Sequence, residues 1–224
     1  MPSLPPQPPQ AAKPGDQTRL ALALAGIRLF GAKGFEATST REIAAAANAN
    51  IASIAYHFGG KDGLRLACAD LVVSNLEAIT GPMLAAAEAV KDPGSAQEAL
   101  ERTIMAVIDF LLGRPEARDI AAFMIREVGE QGVVMDKVYR AFIEPAHARL
   151  CRLLGRATGL DPASDRIRLG VFSIVGQVVY FRIGLAVVAR GMEWDRMGPE
   201  EIARIKETIV ANIRNFIAAN RTQP

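Results

Sequence analysis

Residues 39–64 read STREIAAAANANIASIAYHFGGKDGL, and their side chains suit recognition better than bond making. Asn50 and Ser53 offer short donors and acceptors, while Ala52 and Ala55 leave room for close approach to another surface. Groups of this kind on a narrow helix suit the edges of bases in a major groove. Catalytic patterns are missing from the sequence: there is no G-x-S-x-G elbow, P-loop, G-x-G-x-x-G or H-E-x-x-H. The two histidines and two cysteines are scattered too widely to make a metal site by spacing. His147 lies four residues before Cys151, which would allow a thiol–imidazole pair on one helix face.

The elements that would present these groups are short helices. A first helix over 16–32 points Leu22, Ala25, Ile27, Leu29 and Phe30 inward and ends at Gly34 in the left-handed conformation. Ser39 with Glu42 forms a capping box, and Asn48 stops the second helix after about two turns. Asn50 caps a third helix that runs to Phe58. Ile43, Ala44, Ala47, Ile51, Ile54 and Phe58 would hold the pair against the first helix, leaving Ala52, Ser53, Ala55, Tyr56 and His57 outside. This arrangement is that of a helix-turn-helix, and equally of an ordinary αα-corner.

Composition sets the bounds. The chain has 224 residues, half of them hydrophobic, and a net charge of +2. Residues 1–80 hold seven cations against six carboxylates, so phosphate contacts would rest on a few placed groups and helix N-termini rather than a broad positive field. Residues 1–15, rich in Pro and Gln, read as a disordered leader without a secretory signal. Cys68 and Cys151 read as buried thiols of a reducing compartment.

The run Phe30 to Gly34 with Thr40, Ile43, Ala44, Ala47, Ile51, Tyr56, Phe58, Lys61 and Leu64 resembles the N-terminal domain of TetR-type bacterial transcriptional regulators over about residues 16–70. Asn48 stands where Gly is usual and Asn50 where Ser or Thr is usual, and both suit the same backbone roles. The resemblance implies that Thr40 and Arg41 touch phosphate, that Tyr56 and His57 bond the DNA backbone, and that Lys61 sits at a helix start favourable for phosphate. Asn50, Ala52 and Ser53 would then face the bases.

Beyond residue 64 the periodicity stays helical. The fourth helix should end at Gly81-Pro82, further helices should cover 95–112 and 133–157, and Pro145 should kink the latter. Residues 168–190 are apolar enough to suggest a membrane span, but Gln177 and Arg182 favour a helix buried between neighbours, some from a second subunit. A last helix over 199–219 carries Ile202, Ile205, Ile209, Ile213 and Phe216, with Ile209 and Ile213 expected to face a partner subunit.

This half resembles the CecR-like branch of the family through Phe123 to Glu127, Glu144-Pro145 and Gly176 to Arg182. The branch implies a small effector, for which Phe123, Arg126, Phe142, His147, Phe172, Gln177 and Arg182 are the candidates, with Met105, Ile108 and Phe181 as further apolar ones.

The expectation is an all-α protein. It comprises a leader (1–15), a helix-turn-helix domain with linking helix (16–80), and a helical bundle for effector binding and dimerisation (81–224). It would act as a cytoplasmic homodimeric repressor that binds a double-stranded DNA operator and is released by a small molecule, with no cofactor, metal, membrane or catalytic role. The alternative is a helical small-molecule-binding protein or enzyme with no DNA role.

Overall fold

The computed structural model describes residues 14–130 and 132–221. Of the expected leader, residues 1–13 lie outside the described residues. Every regular element described is helical. Contacts divide the chain between Cys68 and Ala69, inside one long helix.

The first unit contains α1 (Pro14–Lys33), α2 (Thr40–Ala46), α3 (Ala52–Phe58) and the start of α4 (Lys61–Glu88). Its core is Leu22, Ile27, Phe30, Ile43, Ile54 and Leu64, each no more than 2 % exposed. Gly34 ends α1 at φ 87°, and the buried Thr38 hydroxyl donates to the Gly34 carbonyl oxygen at 2.7 Å. Leu29, expected inside, is half-buried, and Ile51 is 48 % exposed. Ile51 belongs to the turn before α3, so helical spacing does not govern where it points.

The second unit takes in the rest of α4, then α5 (Pro93–Gly113), α6 (Glu116–Glu130), α7 (Val133–Val138), α8 (Glu144–Thr158), α9 (Asp165–Ile183), α10 (Leu185–Gly191) and α11 (Pro199–Asn220). Its core joins α5, α8, α9 and α11 through residues such as Ile104, Ile108, Leu154, Val171 and Ile209. Arg214 Nε and Nη2 donate to both oxygens of buried Glu101 at 3.0 and 2.8 Å, tying α11 to α5.

Several expectations are corrected here. The fourth helix passes through Pro82 to Glu88 instead of stopping. The steric restriction before proline falls on Gly81, which has no Cβ to clash, and Leu84 is anchored in the core at 2 % exposure. Ahead of Pro145 the helix widens into a π-turn, Tyr139–Ile143, where the Glu144 N–H donates to the Tyr139 carbonyl oxygen. That widening accommodates a residue lacking its own N–H donor.

Ile209 and Ile213 are 0 % exposed within their own chain, with Ile205 and Ile217 beside them. An apolar stripe requires a partner surface but does not say which chain supplies it, and here α5, α8 and α9 do. The apolar stretch 168–190 is two helices bent by 80° at their junction, and no single helix among the described residues is long and apolar enough to cross a membrane.

Candidate nucleic-acid interface and effector cavity

The outer face of the first unit is built by local signals. Ser39 Oγ accepts from the Glu42 N–H at 3.2 Å while a Glu42 carboxylate oxygen accepts from the Ser39 N–H at 2.9 Å, closing the capping box. Lys33 Nζ donates to the same carboxylate at 2.7 Å, so the end of α1 holds the start of α2. The Lys33 bond first, then those from Ser39, lower the Glu42 pKa to about 2. Asn48 takes φ 49° and turns the chain out of α2. The formal cap of α3 is Ile51, while Asn50 Oδ1 accepts from the Ala52 N–H at 2.9 Å, bracing the turn one residue earlier.

Ile54 anchors α3 at 2 % exposure and leaves Ala52, Ala55 and Tyr56 outward, with Ser53 and His57 half-buried. Tyr56 is 84 % exposed, its ring edge-on to His57 at 4.9 Å. Arg41 is exposed, and Thr40 half-buried, in the first turn of α2. Lys61 opens α4 with its ammonium 4.2 Å from the centre of the Phe35 ring.

The sequence reading missed Gly63. A Cβ there would stand 1.8 Å from the Phe58 carbonyl oxygen, so only glycine lets the first turn of α4 come this close to the end of α3. Its signal was the otherwise costly glycine in the first turn of a helix.

Within the second unit lies a cavity of about 250 Å³, lined by α4, α5, α6, the π-turn, α8 and α9. Phe142, His147, Phe172 and Arg182 line it. The other candidates do not. Phe123 is 0 % exposed on the face of α6 beside the one that lines the cavity, Arg126 is exposed, and Gln177 Oε1 accepts from Asn212 Nδ2 on α11. Ile108 is core, Phe181 packs against that core, and Met105 faces α11 rather than the cavity.

One helical turn fixes these differences. On α9 the lining positions are 171, 172, 175, 178, 179, 182 and 183, which leaves 177 on another face. Leu76, Ile79, Thr80 and Leu84 of α4 complete the wall, though nothing in the sequence sets them apart from any other buried helix face.

His147 stacks on Phe172 with ring centres 4.1 Å apart, and Cys151 Sγ lies 3.6 Å from His147 Nδ1. Burial pushes the Cys151 thiol up, opposite to what a nucleophile requires. Cys68 is buried as well, its thiol donating to the Ala23 carbonyl oxygen at 3.3 Å.

The first unit thus holds a tightly capped helix-turn-helix and the second a helical bundle with an apolar cavity, the two parts of a DNA-binding regulator. The chain belongs to the TetR family: residues 23–68 match the bacterial regulatory proteins of the tetR family, and residues 96–220 match the C-terminal domain of the HTH-type transcriptional dual regulator CecR. It is 30 % identical over 204 residues to CecR of Shigella flexneri, covering 89 % of this chain and 91 % of that protein.

Among solved structures, it shares the fold of AibR in complex with isovaleryl coenzyme A and operator DNA (TM-score 0.65, 21 % identity, 88 % and 97 % of the two chains covered). The TetR-family regulator PfmR of Thermus thermophilus is also alike (TM-score 0.61, 20 % identity, 91 % and 96 % covered). The protein is a DNA-binding transcriptional regulator and not an enzyme.

Proposed function

We propose that the protein is a cytoplasmic homodimeric repressor that leaves its operator when a small molecule fills the second unit's cavity. The observation that carries the DNA reading is α3 itself, a seven-residue helix anchored by Ile54 with Ala52, Ala55 and Tyr56 uncovered. Ser53 and Asn50 then face base edges, while Thr40, Arg41, Tyr56, His57 and Lys61 hold phosphates and set the register. The relative AibR, which was solved with both operator DNA and a small molecule, supports the pairing of the two ligands.

Dimerisation has support of its own. Leu169, Phe172, Tyr180, Ile183 and Val187 are each more than half exposed and recur at spacings of three and four along α9 and α10, apart from one longer step between Phe172 and Tyr180. Exposed apolar side chains in this number call for a covering surface, and a second copy presenting the same residues satisfies a two-fold interface.

Coupling would run through α4, whose first residue is Lys61 and whose later residues, Leu76 to Leu84, line the cavity. An occupant that prefers one position of that helix shifts the equilibrium by its differential affinity and no further.

The test is a mobility-shift assay with duplex from the gene's own upstream region. The full chain should retard it at concentrations that leave unrelated duplex free. Equal retardation of both would contradict sequence-specific regulation.

A further inference from the structure

The wall of the second unit's cavity is distinguished by what it does not offer. Small-molecule pockets ordinarily set a few polar groups among apolar ones, and those groups fix the ligand's orientation. Here the accessible lining carries no polar surface. Ile79, Leu111, Ile120, Met124, Phe142 and Val175 bring hydrocarbon and one thioether to it from α4, α5, α6, the π-turn and α9.

The polar residues that border the space have their polar atoms turned elsewhere. The Thr80 and Thr103 hydroxyls donate to the Leu76 and Ala99 carbonyl oxygens at 2.9 and 2.8 Å, inside their own helices. His147 Nε2 meets the Arg168 carbonyl oxygen at 3.2 Å, its Nδ1 lies 3.6 Å from Cys151 Sγ, and its ring is stacked on Phe172. Arg182 borders the space through its hydrocarbon stem alone, as long cationic side chains do along apolar surfaces.

A hydroxyl or amide carried into this space would give up its water and find no partner, and a charge would lose far more. A hydrocarbon gives up nothing of the kind and gains contact on every side.

We infer that the cavity takes an uncharged hydrocarbon, an alkyl-substituted aromatic or a terpene, with no hydrogen-bonding group inside the protein. Its consequence for gene control rests on the regulatory reading above, but the binding itself does not. An apolar cavity of roughly 150 Å³ holds benzene, so one of about 250 Å³ suits about ten carbons. Phe172 and Arg182 both border it from α9, about 15 Å apart along the helix at about 1.5 Å per residue, so an elongated occupant fits.

Titration calorimetry on the full chain tests this with four probes of matched size: butylbenzene, 3-phenyl-1-propanol, 3-phenylpropanoate and 3-phenylpropylammonium. Butylbenzene should bind once per chain and most tightly. The alcohol should bind at least about tenfold more weakly, the loss expected when a buried hydroxyl goes unpaired. Neither ion should give a heat of binding. Arg182→Met, which keeps an apolar stem and removes the charge, should leave butylbenzene affinity within about twofold. Val179→Phe, which fills the cavity, should abolish it. Should that variant lose its helical circular dichroism, Ala146→Leu makes a smaller intrusion into the same space and should weaken butylbenzene.

The inference is overturned if the alcohol or either ion binds as tightly as butylbenzene, if none of the four binds, if Arg182→Met loses the hydrocarbon, or if the folded cavity-filling variant still binds it as the natural chain does. Butylbenzene that binds in the cavity yet releases no operator supports the ligand class and contradicts the regulatory reading, so the two fail separately.

Discussion

Lys61 and Tyr56 are the residues at which the DNA reading is easiest to separate from structure. Tyr56 is 84 % exposed, so Tyr56→Ala should leave the melting temperature within about a degree while weakening operator binding. Lys61→Ala should weaken binding evenly across operator variants and flatten the salt slope by about one unit. An unchanged slope would remove Lys61 from the phosphate contacts.

Ser53→Ala and Asn50→Ala should differ in kind. The first should relax preference at one base pair. The second removes the acceptor for the Ala52 N–H and should also cost about 1 kcal/mol of stability. Competition binding with single-base operator variants, alongside thermal melts, separates the two effects.

At the scale of elements, α2 hangs on Glu42. Its carboxyl has a folded-state pKa of about 2 against an ordinary 4.5. A depressed carboxylate adds stability above the unfolded value, and that contribution fades as pH falls from about 4.5 toward 2. Glu42→Gln should therefore show a shallower loss of stability across that window than the natural chain. The comparison is best made by denaturant midpoints at matched pH, because Asp92, Glu101 and Glu201 are also depressed and contribute to the acid limb of both proteins. Parallel curves would show that the Lys33 and Ser39 bonds do not differ between folded and unfolded chains.

These short helices were legible in the sequence because their signals are local. Ser39 with Glu42, Asn48 in the left-handed region and Gly34 each act within a few residues of themselves. The second unit was legible only as helices. Helix α11 has its apolar stripe where expected, but a stripe does not name its partner, so the placement of Ile209 and Ile213 needed the folded chain. Gly81 let α4 continue through Pro82, and a π-turn precedes Pro145, both being adjustments of backbone that residue type alone does not reveal. Phe142, His147, Phe172 and Arg182 were recoverable from sequence, whereas the α4 wall of the cavity was not, since its residues look like any buried face.

For the whole molecule, two pairs of substitutions separate folding from assembly. Ile209→Asp with Ile213→Asp puts two carboxylates into the chain's own core and should unfold the second unit, at several kcal/mol, rather than merely split a dimer. Leu169→Asp with Val187→Asp touches residues 66 % and 67 % exposed, and should leave helix content intact while yielding monomer by sedimentation. That monomer should lose most operator affinity, because one helix-turn-helix holds one half-site and forfeits the linked second contact.

The most direct test of the central claim is selection of binding sites from random duplex by the full chain, followed by sequencing. The account predicts enrichment of a two-fold symmetric site whose half-sites lie about one duplex turn, roughly 34 to 36 Å, or a multiple of it apart. A selected pool no different from the starting one, or one enriched only in single unpaired half-sites, would contradict it.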